Sequence, residues 1–153
     1  MIRLAILQVL ITSILLSNNN HPIILVHGFL GWGKEEVGDK NYWGGEGDIE
    51  KYLNDKGYQV HSVSLGPVSS TYDCAIETFY QIKGGQVDYG HDHSEKYKII
   101  RKPKGKAYKG LYPEWNEDNP VHLIGYSFGG LTNRMLLCLL YTSDAADEHR
   151  RGW

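Results

Sequence analysis

An α/β fold, with a mostly parallel sheet and helices on its faces, is predicted by three observations. Short β-branched apolar runs alternate along the chain with amphipathic stretches of helix length, the pattern that places strands in one layer and helices beside it. Two of the apolar runs end in glycine-containing turns, "HGF" and "GYSFG", where a buried parallel strand would leave the sheet. The chain has 153 residues, 41% apolar and 22% charged, which suits one globular domain or a piece of one.

The elements follow in order. Residues 1–20 open with Arg3, continue apolar to Leu16 and close on "SNNN". That is the layout of a secretory signal peptide, and the run is too short and interrupted for a membrane span. A buried first strand or helix is the plainer alternative. "PIILVHGF" (22–29) reads as a parallel strand and its exit loop. "GDIEKYLNDKGY" reads as a helix, with Asp48 as cap, Ile49, Tyr52 and Leu53 on one face, and Gly57 as stop. "YQVHSVSL" alternates like a strand. "SSTYDCAIETFYQIKGG" opens on capping Ser and Thr and closes on Gly84-Gly85, a second helix. Residues 85–120 form an insert without clear periodicity, of the kind that carries function in compact domains. "VHLIGYS" is a strand and "GGLTNRMLL" a helix.

The net charge of −2 and the lack of a long basic block point away from a nucleic-acid partner. The basic segment 98–109 contains Gly and Pro and reads as a solvated loop. Two cysteines, Cys74 and Cys138, make neither a disulfide framework nor a CxxC site.

Gly125-Tyr126-Ser127-Phe128-Gly129 lies between a strand and a helix. A serine there projects its hydroxyl from a strained turn, and glycines on either side let neighbouring backbone approach. The following helix aims N–H groups and the positive end of its dipole at a reacting oxygen. Ser127 is therefore the candidate nucleophile, and the N–H groups of Phe128 and of Phe29, in "HGF", are candidate oxyanion donors. Taken singly, Ser127 reads as a helix-start cap and His27-Gly28 as a strand-exit turn. A dinucleotide loop is excluded because GxGxxG does not occur.

"HPIILVHGFLGWGKEE", "YWGGEGDIEKYLNDKGY", "LGPVSSTYDCAIE", "GGQVDYGHDHSEKY" and "VHLIGYSFGG" resemble the secreted lipases of staphylococci and thermophilic bacilli, over about residues 22–137. The resemblance implies the N-terminal portion of an α/β-hydrolase fold, truncated after the helix that follows Ser127. It implies hydrolysis of triacylglycerols and other fatty esters at an oil–water interface, outside the cell, with no cofactor required for the chemistry. It also implies a structural zinc held by two Asp and two His. Asp73 and His93 fall on two of those positions, and Ile99 stands where the next family His belongs. His91 lies nearby at a different spacing. By themselves, Asp73 reads as a first-turn helix acid and His91 and His93 as exposed loop residues. The family His before the nucleophile is replaced by Tyr126.

A serine nucleophile needs a base and an acid that orients it, in this fold placed after the serine on separate later strands. Asp144, Asp147 and His149 follow Ser127 in the right order but too close together. Moreover, "CLLYTSDAADE" (138–148) reads back in one frame into a transposon-end and adaptor sequence of library preparation. Residues 138–153 are therefore expected to be a foreign tail, a genuine amphipathic helix end being the plainer alternative, and residues 21–137 part of a lipase domain. The parent protein is expected to be a serine ester hydrolase forming an acyl-enzyme on Ser127. The chain alone is expected to be inactive and, with an uncovered sheet edge, poorly soluble. The alternatives are a phospholipase, a short-chain carboxylesterase, or a non-catalytic binding relative.

Overall fold

The computed structural model describes residues 20–34 and 36–151, with 142–151 described as helix backbone. The segment expected to be a signal peptide lies, apart from Asn20, outside the described residues. The order is β1 (Ile23–Val26), α1 (Ile49–Asp55), β2 (Val60–Ser62), α2 (Thr71–Lys83), β3 (Gly85–Gln86), α3 (His91–Tyr97), β4 (Ala107–Tyr108), β5 (His122–Gly125) and α4 (Phe128–Arg151). β1 lies between β2 and β5 and is parallel to both, so the protein is α/β with a parallel sheet.

The sheet positions the site. Val26 is in register with Gly125, so β1 and β5 end side by side and their exit loops rise from the same edge. From β1 the chain crosses to β2 on one side, while β5 lies on the other. In open parallel sheets, ligands bind in the crevice at the strand carboxyl ends, where the order reverses. The sheet is anchored by Ile24 and Val26 of β1 and by Val63 just beyond β2, all three fully buried, clustered with Leu65, Cys74 and Ile82. Leu123, Val121 and Phe128 pack against this cluster. The outer edge of β5 has no strand partner among the described residues, and Ile124 on it is 47% exposed.

The helices start where their caps dictate. The Asp48 carboxylate accepts the Lys51 N–H and the Ser70 hydroxyl accepts that of Asp73, satisfying donors that the first helical turn leaves open. The Lys51 N–H, more than any other group, holds the Asp48 carboxyl below the usual carboxylate range. α2 ends at Gly84, φ +91°. Its buried face, Cys74, Ala75, Thr78 and Ile82, packs along α4 and the sheet.

The helix expected after Asp48 forms, and the reading of the insert is corrected. α1 buries none of its residues, and Ile49 and Tyr52 are exposed. This helix is held by polar ties instead: Asn54 pairs with Val60 through both of its amide groups, and Glu50 accepts the Ser62 N–H. The insert is also more ordered than its pattern suggests. It contains α3 and an antiparallel β3–β4 pair, so His91 and His93 are helical rather than loop residues. The reason is tertiary. α3 has no side-chain cap and no apolar periodicity, but the insert is clamped to α2 by Glu77. This carboxylate is 1% exposed, accepts from Tyr89 Oη (2.6 Å) and Lys106 Nζ (2.7 Å), and also takes the Gly66 N–H (3.2 Å). Burial, then Glu77 itself, pushes the Tyr89 hydroxyl far above its ordinary pKa.

Candidate active site

Ser127 leaves β5 with φ +53°, the left-handed region that costs a non-glycine residue roughly 1–2 kcal/mol, and it is exposed. The turn requires both of its glycines. A Cβ on Gly129 would lie 2.1 Å from the Val26 carbonyl oxygen, and one on Gly125 would lie 2.4 Å from the Gly129 carbonyl carbon. The β1 backbone thus presses directly on the start of α4. Tyr126 and Ser127 carbonyls accept the Gly129 and Gly130 N–H groups.

Opposite the turn, the loop after β1 is gripped peptide by peptide. Gly28 N–H donates to Tyr42 Oη at 3.0 Å, and Leu30 N–H donates to the Pro67 carbonyl at 2.8 Å. The Gly28 carbonyl accepts from Gly31 N–H (3.0 Å) and faces His27 Nδ1 (2.9 Å). His27 is 3% exposed, and its Nε2 accepts the Leu65 N–H at 3.0 Å. A ring nitrogen that accepts carries no proton, so the network assigns the proton to Nδ1, which donates to Gly28 O. Gly28 C=O and Phe29 N–H belong to one planar peptide, so these donors set the direction of the Phe29 N–H. Among the described residues, the Phe29 and Phe128 N–H groups have no hydrogen-bond partner.

Loop and turn meet. A Cβ on Gly28 would be 3.2 Å from Ser127 Cβ, and the Phe29 and Phe128 rings pack edge-on with centroids 6.3 Å apart. The serine turn and the Phe29 loop thus adjoin, and each carries a backbone N–H without a partner among the described residues, the kind of donor an oxyanion site uses. Beside it lies a cavity of about 630 Å³ lined by Trp32, Tyr42, Trp43 and Tyr126. Trp43 Nε1 is buried without a partner among the described residues.

His27 has both ring nitrogens engaged and is not free to act as base. Asp144, Asp147 and His149 lie far along α4, the helix that begins beside Ser127. At 1.5 Å per residue, the His149 backbone is roughly 30 Å from the helix start.

Asp73 and His93, 20 residues apart, do come together. His93 Nε2 is 2.8 Å from Asp73 Oδ1, and Asp73 Oδ2 accepts from Ser70 Oγ. The imidazole is stacked on Tyr72 (4.0 Å) and tilted against Tyr97 (4.7 Å). A zinc cage takes four ligands, two more than this pair supplies. Among the described residues no third His, Cys, Asp or Glu joins them. Ile99 offers no donor, and His91 turns instead to Asp92 and Glu95. Cys74, one residue on, is a buried thiol pushed up to about 12 by burial and then by Glu77 and Asp73.

Sequence reasoning assigned no role to Tyr42, Pro67 or Glu77. Their partners lie far away in the chain, and no local spacing announces them.

A hydroxyl on a left-handed turn at the carboxyl edge of a parallel sheet defines a class of α/β protein, and comparison places the chain within a family. It belongs to the family described as lipase-like, C-terminal domain, whose model matches residues 19–149. It is 45% identical over 125 residues to Lipase 2 of Staphylococcus aureus, covering 77% of this chain and 17% of that protein. It is 40% identical over 131 residues to the lipase of Staphylococcus hyicus, covering 84% and 20%. Among solved structures, lipase 1 from Pelosinus fermentans superposes with a TM-score of 0.73 at 47% identity, over 78% of this chain and 32% of that one. The Staphylococcus hyicus lipase crystal structure gives 0.72 at 41%, over 78% and 31%. The chain thus spans about a fifth of the curated relatives' length and about a third of the solved chains. Among the described residues, no helix is long and apolar enough to cross a membrane.

Proposed function

We propose that the chain is the nucleophile-bearing part of a secreted serine ester hydrolase acting on acylglycerol esters. In this reading, residues 21–137 are the N-terminal portion of an α/β-hydrolase domain and 138–153 are foreign to it. The observation that supports it best is the exposed Ser127 at positive φ, on a turn that adjoins the loop of Phe29, with the Phe29 and Phe128 N–H groups unpartnered among the described residues. Ser127 Oγ attacks the ester carbonyl while a base supplied from outside the described residues takes its proton. The carbonyl oxygen becomes an oxyanion between the two N–H groups. Collapse expels the alcohol, which receives that proton, and leaves an acyl-enzyme; water then attacks and releases the fatty acid. Losing one such donor typically costs about 10²- to 10³-fold in rate. Phe29, Leu30, Val68 and Tyr126, each more than half exposed, supply the apolar rim that an acyl chain or oil surface would touch. The Asp73–His93 pair takes no part in these steps.

The test uses the complete gene product and a fluorophosphonate, which reacts only with an activated serine. Labelling at Ser127, lost in Ser127→Ala together with hydrolysis of long-chain glycerides, is the expected result. No labelling would assign the fold to a binding protein. Activity confined to short-chain esters would make it a carboxylesterase, and preference for phosphoglycerides a phospholipase. With no base placed beside Ser127 among the described residues, the 153-residue chain is expected to show neither labelling nor turnover.

A further inference from the structure

We propose that Tyr42 is a positioning residue for this site: its hydroxyl fixes the loop bearing the Phe29 N–H against the Ser127 turn. The proposal rests on the reading of Ser127 as nucleophile. Tyr42 belongs to a closed turn, where Asn41 and Gly45 exchange both backbone hydrogen bonds (3.1 and 3.0 Å). Gly44 and Gly45 take φ +109° and +63°, values open to glycine at little cost. The turn is tied to its surroundings by Trp32 Nε1 donating to Lys40 O (3.0 Å) and Asn41 Nδ2 donating to Gly47 O (3.1 Å).

On this mount the Tyr42 ring is a hub. It meets His27 at 5.6 Å and Trp32 at 5.3 Å, with Trp43 and Tyr126 at 5.6 and 6.4 Å. It therefore touches the oxyanion loop, the residue before the nucleophile and the cavity wall together. Its hydroxyl accepts the Gly28 N–H at 3.0 Å. The point where a Gly28 Cβ would sit is 3.0 Å from Tyr42 Oη, 3.0 Å from the Tyr126 carbonyl oxygen and 3.2 Å from Ser127 Cβ. Phenol, loop and nucleophile thus converge on one spot, with no room for a side chain between them. Gly28 has no Cβ to restrict its rotation, so the Tyr42 bond on its N–H and the His27 and Gly31 bonds on its C=O set the plane of the next peptide. Removing the phenol oxygen frees one side of that grip and lets the Phe29 N–H drift from the developing oxyanion.

The experiment compares Tyr42→Phe with wild type in the complete gene product, keeping the ring packing and deleting only the hydroxyl. The expected result is a fall in kcat of about tenfold to a hundredfold, the range that ångström-scale misplacement produces. KM should stay within about twofold and the melting temperature within a few degrees. Affinity for a trifluoromethyl ketone, which forms a tetrahedral adduct on serine, should weaken by the same factor as kcat/KM. Wild-type kcat and inhibitor affinity in Tyr42→Phe would overturn the proposal. So would a variant melting ten degrees lower whose rate loss matches its unfolded fraction, since Tyr42 would then serve only the fold. If the wild type itself neither hydrolyses esters nor labels at Ser127, the ester-hydrolase reading fails, and this inference with it.

Discussion

Gly129 and Gly130 are adjacent, identical in type and both within the first turn of α4, yet replacing each by alanine is expected to have opposite effects. At Gly129 the new methyl would stand 2.1 Å from Val26 O, 2.7 Å from His27 O and 2.9 Å from Val26 C. Those atoms are backbone of a fully buried strand residue and its neighbour, so no side-chain rotation relieves the overlap. The helix must retreat from β1 by more than an ångström, carrying Ser127 away from Gly28. Overpacking of this kind costs about 1–3 kcal/mol, and the displacement costs roughly a hundredfold in rate. At Gly130 the methyl meets only Gly125 O, at 3.8 Å, ordinary contact. Alanine there gains helix propensity, up to about 1 kcal/mol. Urea midpoints of the two variants, together with fluorophosphonate labelling rates of the complete gene product, test this. A Gly129→Ala variant as stable and as quickly labelled as wild type would refute the packing of α4 on β1, and with it the account of the serine turn.

Two further outcomes follow from groups outside the serine turn. Lys106→Met strands the Glu77 carboxylate, 1% exposed, with only Tyr89 Oη and Gly66 N–H. Breaking a buried pair from one side costs about 3–5 kcal/mol, here toward the lower end because Lys106 is one-third exposed. The melting temperature should drop by roughly 6–12 °C at 2–4 °C per kcal/mol, and a drop under 2 °C would sink the clamp. Alkali should also weaken the fold. The Cys74 thiol ionises near 9.0 when unfolded but only near about 12 when folded, and Tyr89 shifts in the same direction. The folded state then holds more protons, so this stability is full below about pH 9 and is lost as pH rises toward 12. Urea midpoints that hold level from pH 8 to 10.5 would contradict it.

Local chemistry made much of the molecule legible. Asp48 and Ser70 cap helices by bonding to N–H groups three residues ahead, and Gly84 ends one, so these boundaries are written in neighbouring letters. The Gly-x-Ser-x-Gly segment likewise carries its strain and its close approach within five residues. The apolar face of α1 marked the helix but not its packing, because amphipathic spacing says which side could be buried and not whether anything lies there to bury it. α3 escaped notice because its order comes from Asp73, Tyr72 and the Glu77 clamp, not from its own seven residues.

The sequence by itself determined the alternation of strands and helices, the helix caps and the serine turn, since each depends on residues within a few positions of one another. Only the tertiary structure decided that Val26 and Gly125 end in register, which brings the two exit loops together. It also decided which nitrogen of His27 carries the proton, through a Leu65 N–H 38 residues away, and that Tyr42 reaches Gly28 across 14 residues. A hydrogen bond between distant residues exists only once the sheet has brought their backbones within about 3 Å, and no spacing along the chain encodes that distance.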